Sequence, residues 1–301
     1  MKQELSILIP VFNYDCTSLT GQLCRQVSML TERCRSKIEI IVAEDGSTDL
    51  AALNANKAIS EFPFCRYIRR EVNVGRATIR NVLAQEAAYE WLLFLDCDMQ
   101  VPNDKFLQCY METGGQEVID GGFKVLRNDQ MEGHNLRYTY EWYAQERHSV
   151  QQRRKCPYRS FRTTNFMVRR DIMLAHPFDE RFLLYGYEDV LFGKTLKQHG
   201  IGIEHIDNSM MLADLEKNEV FVEKTEEALR TLHEFRNDLR GYSRLLIVVD
   251  GIHISLVHAV IRLWHRLFGS LERRNLCGNH PNLRIFSLYK IGYYLTLTKN
   301  D

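Results

Sequence analysis

Four apolar runs in the first hundred residues, each closing on polar or acidic residues, limit what this chain can fold into. Leu5-Ser-Ile-Leu-Ile9 ends at Pro10, and Ile38–Ala43 runs into Glu44-Asp45-Gly46-Ser47-Thr48-Asp49. Cys65–Ile68 precedes the Asn73-Val-Gly75 turn, and Trp91–Leu95 ends in Asp96-Cys97-Asp98. Short apolar runs of this kind read as buried strands. Between them Leu19, Leu23, Val27 and Leu30 recur at helical spacing, as do residues near 50–60 and 76–89. Such alternation predicts an α/β fold with a mostly parallel sheet covered by helices. Ligands of open α/β sheets bind beyond the carboxyl ends of the strands. Here those ends carry Pro10–Asn13, Glu44–Asp45 and Asp96–Asp98.

Composition narrows the function classes. The 301 residues hold 39 Lys and Arg against 39 Asp and Glu, so a globally basic nucleic-acid binder is excluded and no nucleic-acid partner is expected. Six Pro and 17 Gly are too few for a linker-rich chain. The opening MKQELSILIP has too short an apolar run for a signal peptide, and no stretch approaches the roughly 18 apolar residues of a spanning helix. The eight Cys (16, 24, 34, 65, 97, 109, 156, 277) form no C-x-x-C pair and read as reduced thiols of a cytoplasmic protein.

Downstream, Val118–Val125 reads as a strand interrupted by Gly121-Gly122, residues 134–150 as a helix, and Ile201–Ile206 as another strand. Residues 147–170 hold eight basic and no acidic residues, which suits a solvated loop and helix surface or a flap over an anionic ligand. From Glu216 onward the chain reads as helical, and residues 231–301 carry ten Lys and Arg against five Asp and Glu.

The sharpest local signal is Asp96-Cys97-Asp98. Two carboxylates two residues apart past an extended strand project together and repel. A hard divalent cation, Mg²⁺ or Mn²⁺, relieves that conflict, whereas a solvated acidic turn is the bland alternative. In Glu44–Asp49, helix capping explains Ser47, Thr48 and Asp49, but not two further acids at the strand end. Arg76 and Arg80 stand one turn apart where a helix begins, a place that favours anions.

ELSILIPVFNYD, IVAEDGSTD, NVGRATIRN and WLLFLDCDMQVP, in this order and spacing, resemble the family 2 glycosyltransferases of GT-A fold. Asn165-Phe-Met-Val and YGYEDVLFGKTLKQHG extend the resemblance to about residue 200, and NEVFVEKTEEALRTL and LYKIGYY resemble bacterial members that build surface polysaccharides. The resemblance implies a Rossmann-like nucleotide-diphospho-sugar transferase with a mixed sheet flanked by helices. It implies a GT-A domain over 1–240 and a helical extension over 241–301. It places Pro10, Phe12, Asn13, Asp45, Asn73, Arg76, Arg80 and Asp96 on the donor side, with Asp45 at the base and Asp96 by ribose and pyrophosphate. Asp98, with Asp96, would hold Mn²⁺ or Mg²⁺. Inversion by a hydroxyl of a glycan or lipid-linked acceptor needs a general base. Asp189 is assigned to that role and Glu188 to binding or orienting, against a bland reading of helix N-terminal charge complementation. Tyr185, Gly186 and Tyr187 are candidate acceptor contacts. A UDP- or GDP-linked sugar is the expected donor.

One departure stands out. Many members supply a metal-binding His within a motif resembling H-I-D-N-P-x-x-H, and this chain reads His205-Ile-Asp-Asn-Ser-Met-Met-Leu212. Leucine cannot ligate a metal, so a donor-binding protein with impaired catalysis is the alternative, and His205 is a substitute ligand or a structural imidazole. A haloacid-dehalogenase-type phosphatase also places D-x-D after a strand, but Met99-Gln100 fits that motif poorly. A dinucleotide oxidoreductase lacks support, because no G-x-G-x-x-G follows the first strand. Residues 252–268 mix apolar side chains with His253, His258, Arg262 and Arg266, which suits contact with the inner face of a membrane, the catalytic domain or a second subunit.

Overall fold

A computed structural model describes residues 4–32, 37–212 and 214–298. Cys34 and the last three residues of the 241–301 segment lie outside the described residues, and seven free thiols lie within them. The chain divides into two compact units. The first comprises Met1–Lys124, Arg147–Leu183 and Phe192–Asp214, and the second Val125–Glu146, Leu184–Leu191 and Leu215–Asp301.

The first unit holds every strand found among the described residues. They are β1 (Leu5–Val11), β2 (Ile38–Asp45), β3 (Cys65–Arg70), β4 (Trp91–Leu95), β5 (Met99–Gln100), β6 (Val118–Asp120), β7 (Phe123–Lys124), β8 (Asn165–Arg169), β9 (Ile203–His205) and β10 (Met210–Leu212). Seven form one sheet in the order β3-β2-β1-β4-β8-β6-β9. The strands β3, β2, β1 and β4 run parallel, and β8 enters antiparallel to both β4 and β6. The sheet is therefore mixed but mostly parallel, as the alternation predicts, with β8 alone running against its six companions. Ile7, Leu8 and Ile9 in β1 and Ile40, Ile41 and Val42 in β2 are fully buried, as continuous apolar strands covered on both faces must be. Because β1, β2 and β4 are parallel neighbours, their carboxyl ends meet at one edge, as the sequence predicts.

Gly121-Gly122 does interrupt the fifth run, which splits into β6 and β7. The two pieces then serve different sheets, since β7 joins β10 and β5 in a small three-stranded sheet. A Cβ on Gly121 would come within 2.4 Å of the Tyr110 hydroxyl, so the residue is fixed by close packing. The basic stretch 147–170 is not a uniformly solvated surface. It forms the short helices Val150–Lys155 and Pro157–Ser160 and then β8, and Arg153 is buried.

The second unit is built of helices and turns among its described residues, and Leu136, Val222, Leu276, Phe286 and Tyr289 form a buried apolar cluster in it. Its main elements are the helices Leu136–Ala144, Asn218–Glu234, Ser255–Leu276 and Leu283–Leu297. Asn135 caps the first by accepting from Tyr138 N at 2.8 Å, and Asn282 caps the last by accepting from Arg284 N at 2.8 Å. The expected boundary at 240/241 falls inside this unit. The physical reason is that Val222 shares one apolar cluster with Phe286 and Tyr289, so 218–234 cannot be assigned apart from 283–297.

Candidate active site

At the end of β1, Asn13 takes a left-handed conformation (φ 52°) that turns the chain sharply. Its Oδ1 accepts from Thr48 N at 2.7 Å and Asp49 N at 2.9 Å, and its own N–H donates to Ser47 Oγ at 2.8 Å. Asn13 therefore clamps the first loop to the second. Beside it, Pro10 is half-buried and the Phe12 ring is 50% exposed at the sheet edge.

The two acids ending β2 have different tasks. Glu44 is fully buried and accepts from Asn56 Nδ2 at 2.7 Å, from the Tyr67 hydroxyl at 3.2 Å and from Ser47 Oγ. It organises the fold and is not presented to a ligand. Asp45 accepts from Val74 N at 2.9 Å and Gly75 N at 3.1 Å, fixing the 73–75 turn through both carboxylate oxygens. Burial raises its pKa, opposed by those two N–H groups and the Arg70 charge. Each oxygen keeps a lone pair for a further donor. Asn73, exposed, accepts from Gly75 N at 3.1 Å and so shapes the same turn. Gly46 has φ +66°, and a Cβ there would stand 2.2 Å from Asn73 N.

Arg76 begins the helix Arg76–Glu86 and is exposed. Arg80, one turn on, differs from the sequence expectation of a donor contact. Its side chain is 1% exposed, its Nη2 donates to Asp96 Oδ1 at 2.8 Å, and its guanidinium lies 5.8 Å from the Phe178 ring centroid. Asp96 itself keeps a 19% exposed carboxylate. Asp96 N donates to Thr164 O at 3.0 Å, which holds the start of the D-x-D against the loop before β8.

Asp98 directly precedes β5. Its charge and that of Asp214 act on the Tyr14 phenol, whose pKa is pushed up to about 12 chiefly by burial. Neither Tyr14 nor Asp214 was among the sequence candidates. The signals were present, since Tyr14 follows the Phe12-Asn13 pair and Asp214 stands two residues beyond Leu212. Leu212 itself is buried in β10, where it pairs with Met99 of β5.

His205 is a structural imidazole. It is fully buried, with Nδ1 facing Arg153 Nη1 at 2.9 Å and Nε2 facing Pro157 O at 3.0 Å. Arg153 can only donate, so the bonding pattern assigns the neutral ring with its proton on Nε2. Burial accordingly lowers its pKa, against the pull of Asp120, whose Oδ2 is 3.5 Å away. Both ring nitrogens are taken, and His205 is not a metal ligand.

Glu188 and Asp189 belong to the second unit. They open the helix Glu188–Gln198, where negative charge complements the helix dipole. Glu188 is buried, Asp189 half-buried, and Asp189 Oδ1 accepts from Val190 N at 2.7 Å. The preceding Tyr185-Gly186-Tyr187 is seated on the helix Asn218–Glu234. Tyr185 N donates to Glu227 Oε1 at 3.0 Å, Thr231 Oγ1 donates to Tyr185 O at 3.1 Å, and a Cβ on Gly186 would lie 3.0 Å from that of Ala228. Tyr187 has φ 70°, and its phenol, hydrogen-bonded with Ser243, is raised well above its ordinary pKa by burial. That ring is committed to the helical unit, which makes it a support rather than an exposed sugar platform.

Residues 6–175, more than half the chain, match the family description "Glycosyl transferase family 2". The chain belongs to this family, and it is a glycosyltransferase. Among curated relatives, chondroitin synthase of Escherichia coli is 26% identical over 243 residues, covering 68% of this chain and 34% of that protein. An uncharacterized glycosyltransferase of Haemophilus influenzae is 33% identical over 101 residues, 34% of this chain and 38% of its own length. The chain thus spans about a third of the length of these relatives. Among solved structures, TarS 1–349 of S. aureus superposes with TM-score 0.51 at 18% identity, covering 99% of this chain and 90% of that one. A mannosyltransferase of Pyrobaculum calidifontis, solved with GDP-Man and Mn²⁺, gives TM-score 0.58 at 11% identity over 100% and 87%. At these identities the structures establish the shared GT-A fold. Membership displaces the phosphatase reading of the D-x-D.

Proposed function

We propose that this glycosyltransferase moves a hexose or hexose derivative, with inversion, from a UDP- or GDP-linked sugar to a hydroxyl of a glycan or glycolipid in polysaccharide biosynthesis. The observation that carries the reading is the Asp96–Asp98 pair at the end of β4, with Asp96 held by Arg80. Two further structures of TarS hold UDP and UDP-GlcNAc, which supports a nucleotide-sugar donor.

The donor set fits a hard divalent cation. Among the described residues no three His, Cys, Asp or Glu side chains stand close enough to form a metal cage. Mg²⁺ and Mn²⁺ need no such cage, because one or two carboxylates plus phosphate oxygens and water complete their shell. Asp98, with the partly exposed carboxylate of Asp96, would hold the ion. When bound it supplies charge stabilisation to the departing nucleoside diphosphate.

The chain's own residues do the rest. Asp45 accepts from the base, and Phe12 and Pro10 line its pocket, while Asn13 and Asn73 hold the loops that shape it. Arg76 sets positive charge toward the diphosphate, and Arg80 acts through Asp96 as a positioning residue. Asp189 takes the proton of the acceptor hydroxyl, with Glu188 orienting the segment. Tyr185 and Gly186 belong to the acceptor side, with Tyr187 as their anchor. The loss of imidazole at Leu212 favours one rival, a protein that binds donors without turning them over. A cytoplasmic site, with 241–301 touching a membrane, belongs to the same reading.

The test is a thermal-shift and donor-hydrolysis panel with UDP- and GDP-sugars, with and without Mn²⁺ or Mg²⁺. Donor binding to the folded state raises Tm by mass action. Asp98→Asn is expected to abolish the metal-dependent part of the shift, and Asp189→Asn to keep it while hydrolysis falls by roughly a hundredfold or more. Donor binding without turnover, unchanged in Asp189→Asn, assigns the chain to the rival. No binding of any donor overturns both.

A further inference from the structure

The helix Ser255–Leu276 is the longest element of the second unit, 22 residues or about 33 Å. One face is packed. Glu272 and Leu276 are buried, Arg262 Nε donates to Leu295 O at 2.9 Å, and Arg273 Nε donates to Glu226 Oε1 at 3.0 Å. At Gly292 the helix Leu283–Leu297 comes so near that a Cβ would lie 2.7 Å from the His265 Cβ. The roll of the helix is thereby fixed.

That roll turns a row of large apolar side chains outward. Leu256 is 69% exposed, Leu263 57%, Leu267 66% and Leu271 60%, with Val260 in the same row. Their spacing of three and four residues makes one continuous stripe. Beside it Trp264 and Phe268, also exposed, pack with ring centroids 4.4 Å apart. Trp264 Nε1 donates to Glu272 Oε1 at 2.9 Å, which sets the indole at the stripe's margin. A contiguous row of exposed large apolar side chains on one face marks an interaction surface.

Charge selects the occupant. The helices Ser255–Leu276 and Leu283–Leu297 carry six Arg and Lys (262, 266, 273, 274, 284, 290) and one acid, Glu272. That acid is buried and faces His265 Nδ1 at 2.9 Å as well as Trp264. Arg266, at one edge of the stripe, and Arg274, at its end, are both exposed. A second copy docked on this face would bring basic rims together with no exposed acid on either helix to match them. No helix among the described residues is long and apolar enough to cross a membrane. An amphipathic helix with an apolar stripe, a basic rim and a marginal Trp suits the plane of an anionic lipid surface.

We propose that the outward face of Ser255–Leu276 docks this protein on an anionic lipid bilayer, with the Leu row among the acyl chains and Arg266 and Arg274 at the headgroups. This reading does not depend on donor chemistry and fails separately from it. The experiment is flotation of the full chain with vesicles of phosphatidylcholine alone and of phosphatidylcholine with phosphatidylglycerol. The parent chain is expected to float with the anionic vesicles only, and less at high salt. The variant L263E/L267E is expected to lose binding, and R266E/R274E to weaken it roughly tenfold or more. Far-UV circular dichroism melting serves as the control for folding, since all four positions are exposed. The proposal is overturned if neither vesicle retains the parent, if both retain it equally, or if L263E/L267E binds like the parent. A two-chain mass by light scattering that L263E/L267E returns to one chain, without flotation, assigns the face to a second copy instead.

Discussion

Arg80 illustrates how one residue changes its meaning between sequence and structure. In the sequence it lies one turn beyond Arg76 and reads as a second cation for a diphosphate. In the fold it is buried and spends a charged hydrogen bond on Asp96. Truncation in Arg80→Met removes that partner while Asp96 stays partly solvated, so the expected cost is about 1.5–3 kcal/mol by urea unfolding. Metal-dependent donor binding should weaken with it, and Arg80→Lys should restore part of both. Gly46 carries a second prediction. Its positive φ and the 2.2 Å approach of Asn73 N leave no space for a methyl group. Gly46→Ala is expected to lower stability by about 1–3 kcal/mol, read as a fall in Tm. The acids at 44 and 45 show the limit of local reading. Neighbours in sequence, they point to opposite tasks because alternate strand residues face opposite sides of the sheet.

Among the elements, β6, β9 and the helix Val150–Lys155 meet at Asp120, His205 and Arg153. Arg153 Nη1 donates to Asp120 Oδ1 at 3.1 Å and Nη2 donates to Ile206 O at 2.8 Å, while Arg154 Nε donates to His205 O at 2.8 Å. His205 is held neutral, its pKa lowered from 6.5 by burial. As pH falls below 6.5 the unfolded chain takes up this proton before the folded one, so stability rises with pH and is lost on acidification. Asp120, raised from 3.8 by burial, contributes the opposite sign between 3.8 and its raised value. The expected outcome is that unfolding free energy falls between about pH 7 and 5, and that His205→Gln flattens this slope. None of this was legible in 147–170, where eight basic residues in a row of polar ones look solvated. Burial of Arg153 is a tertiary fact with no local pattern. The first four strands, by contrast, were legible because apolar runs closing on polar residues admit few other folds. The strand order beyond β4 was not, because β8 is supplied from about seventy residues downstream.

On the scale of the whole molecule, the helical unit gathers 125–146, 184–191 and 215–301, three segments separated in sequence. Nothing in composition marks the first two as belonging to the third, which is why an extension beginning at 241 was the natural sequence reading. The unit's shared cluster makes a testable statement about truncation. A chain ended at residue 240 keeps Leu136 and Val222 but loses Leu276, Phe286 and Tyr289. Removing several large buried side chains at once far exceeds the few kcal/mol of a single core truncation. The expected result is loss of cooperative melting in the helical unit, measured by calorimetry, and aggregation of the product.

That same discontinuity fixes an order of events during synthesis. At typical elongation rates of about 5–20 residues per second, roughly seven to thirty seconds separate the exit of residue 146 from that of residue 286. Through that interval Leu136 and, once it emerges, Val222 lack the Leu276, Phe286 and Tyr289 side chains that complete their cluster, and the nascent chain carries them only partly covered until residues 283–297 emerge. Mistakes in folding are therefore expected in the helical unit first, before residues 283–297 emerge, where a chaperone that shields apolar helices would have its longest opportunity to act.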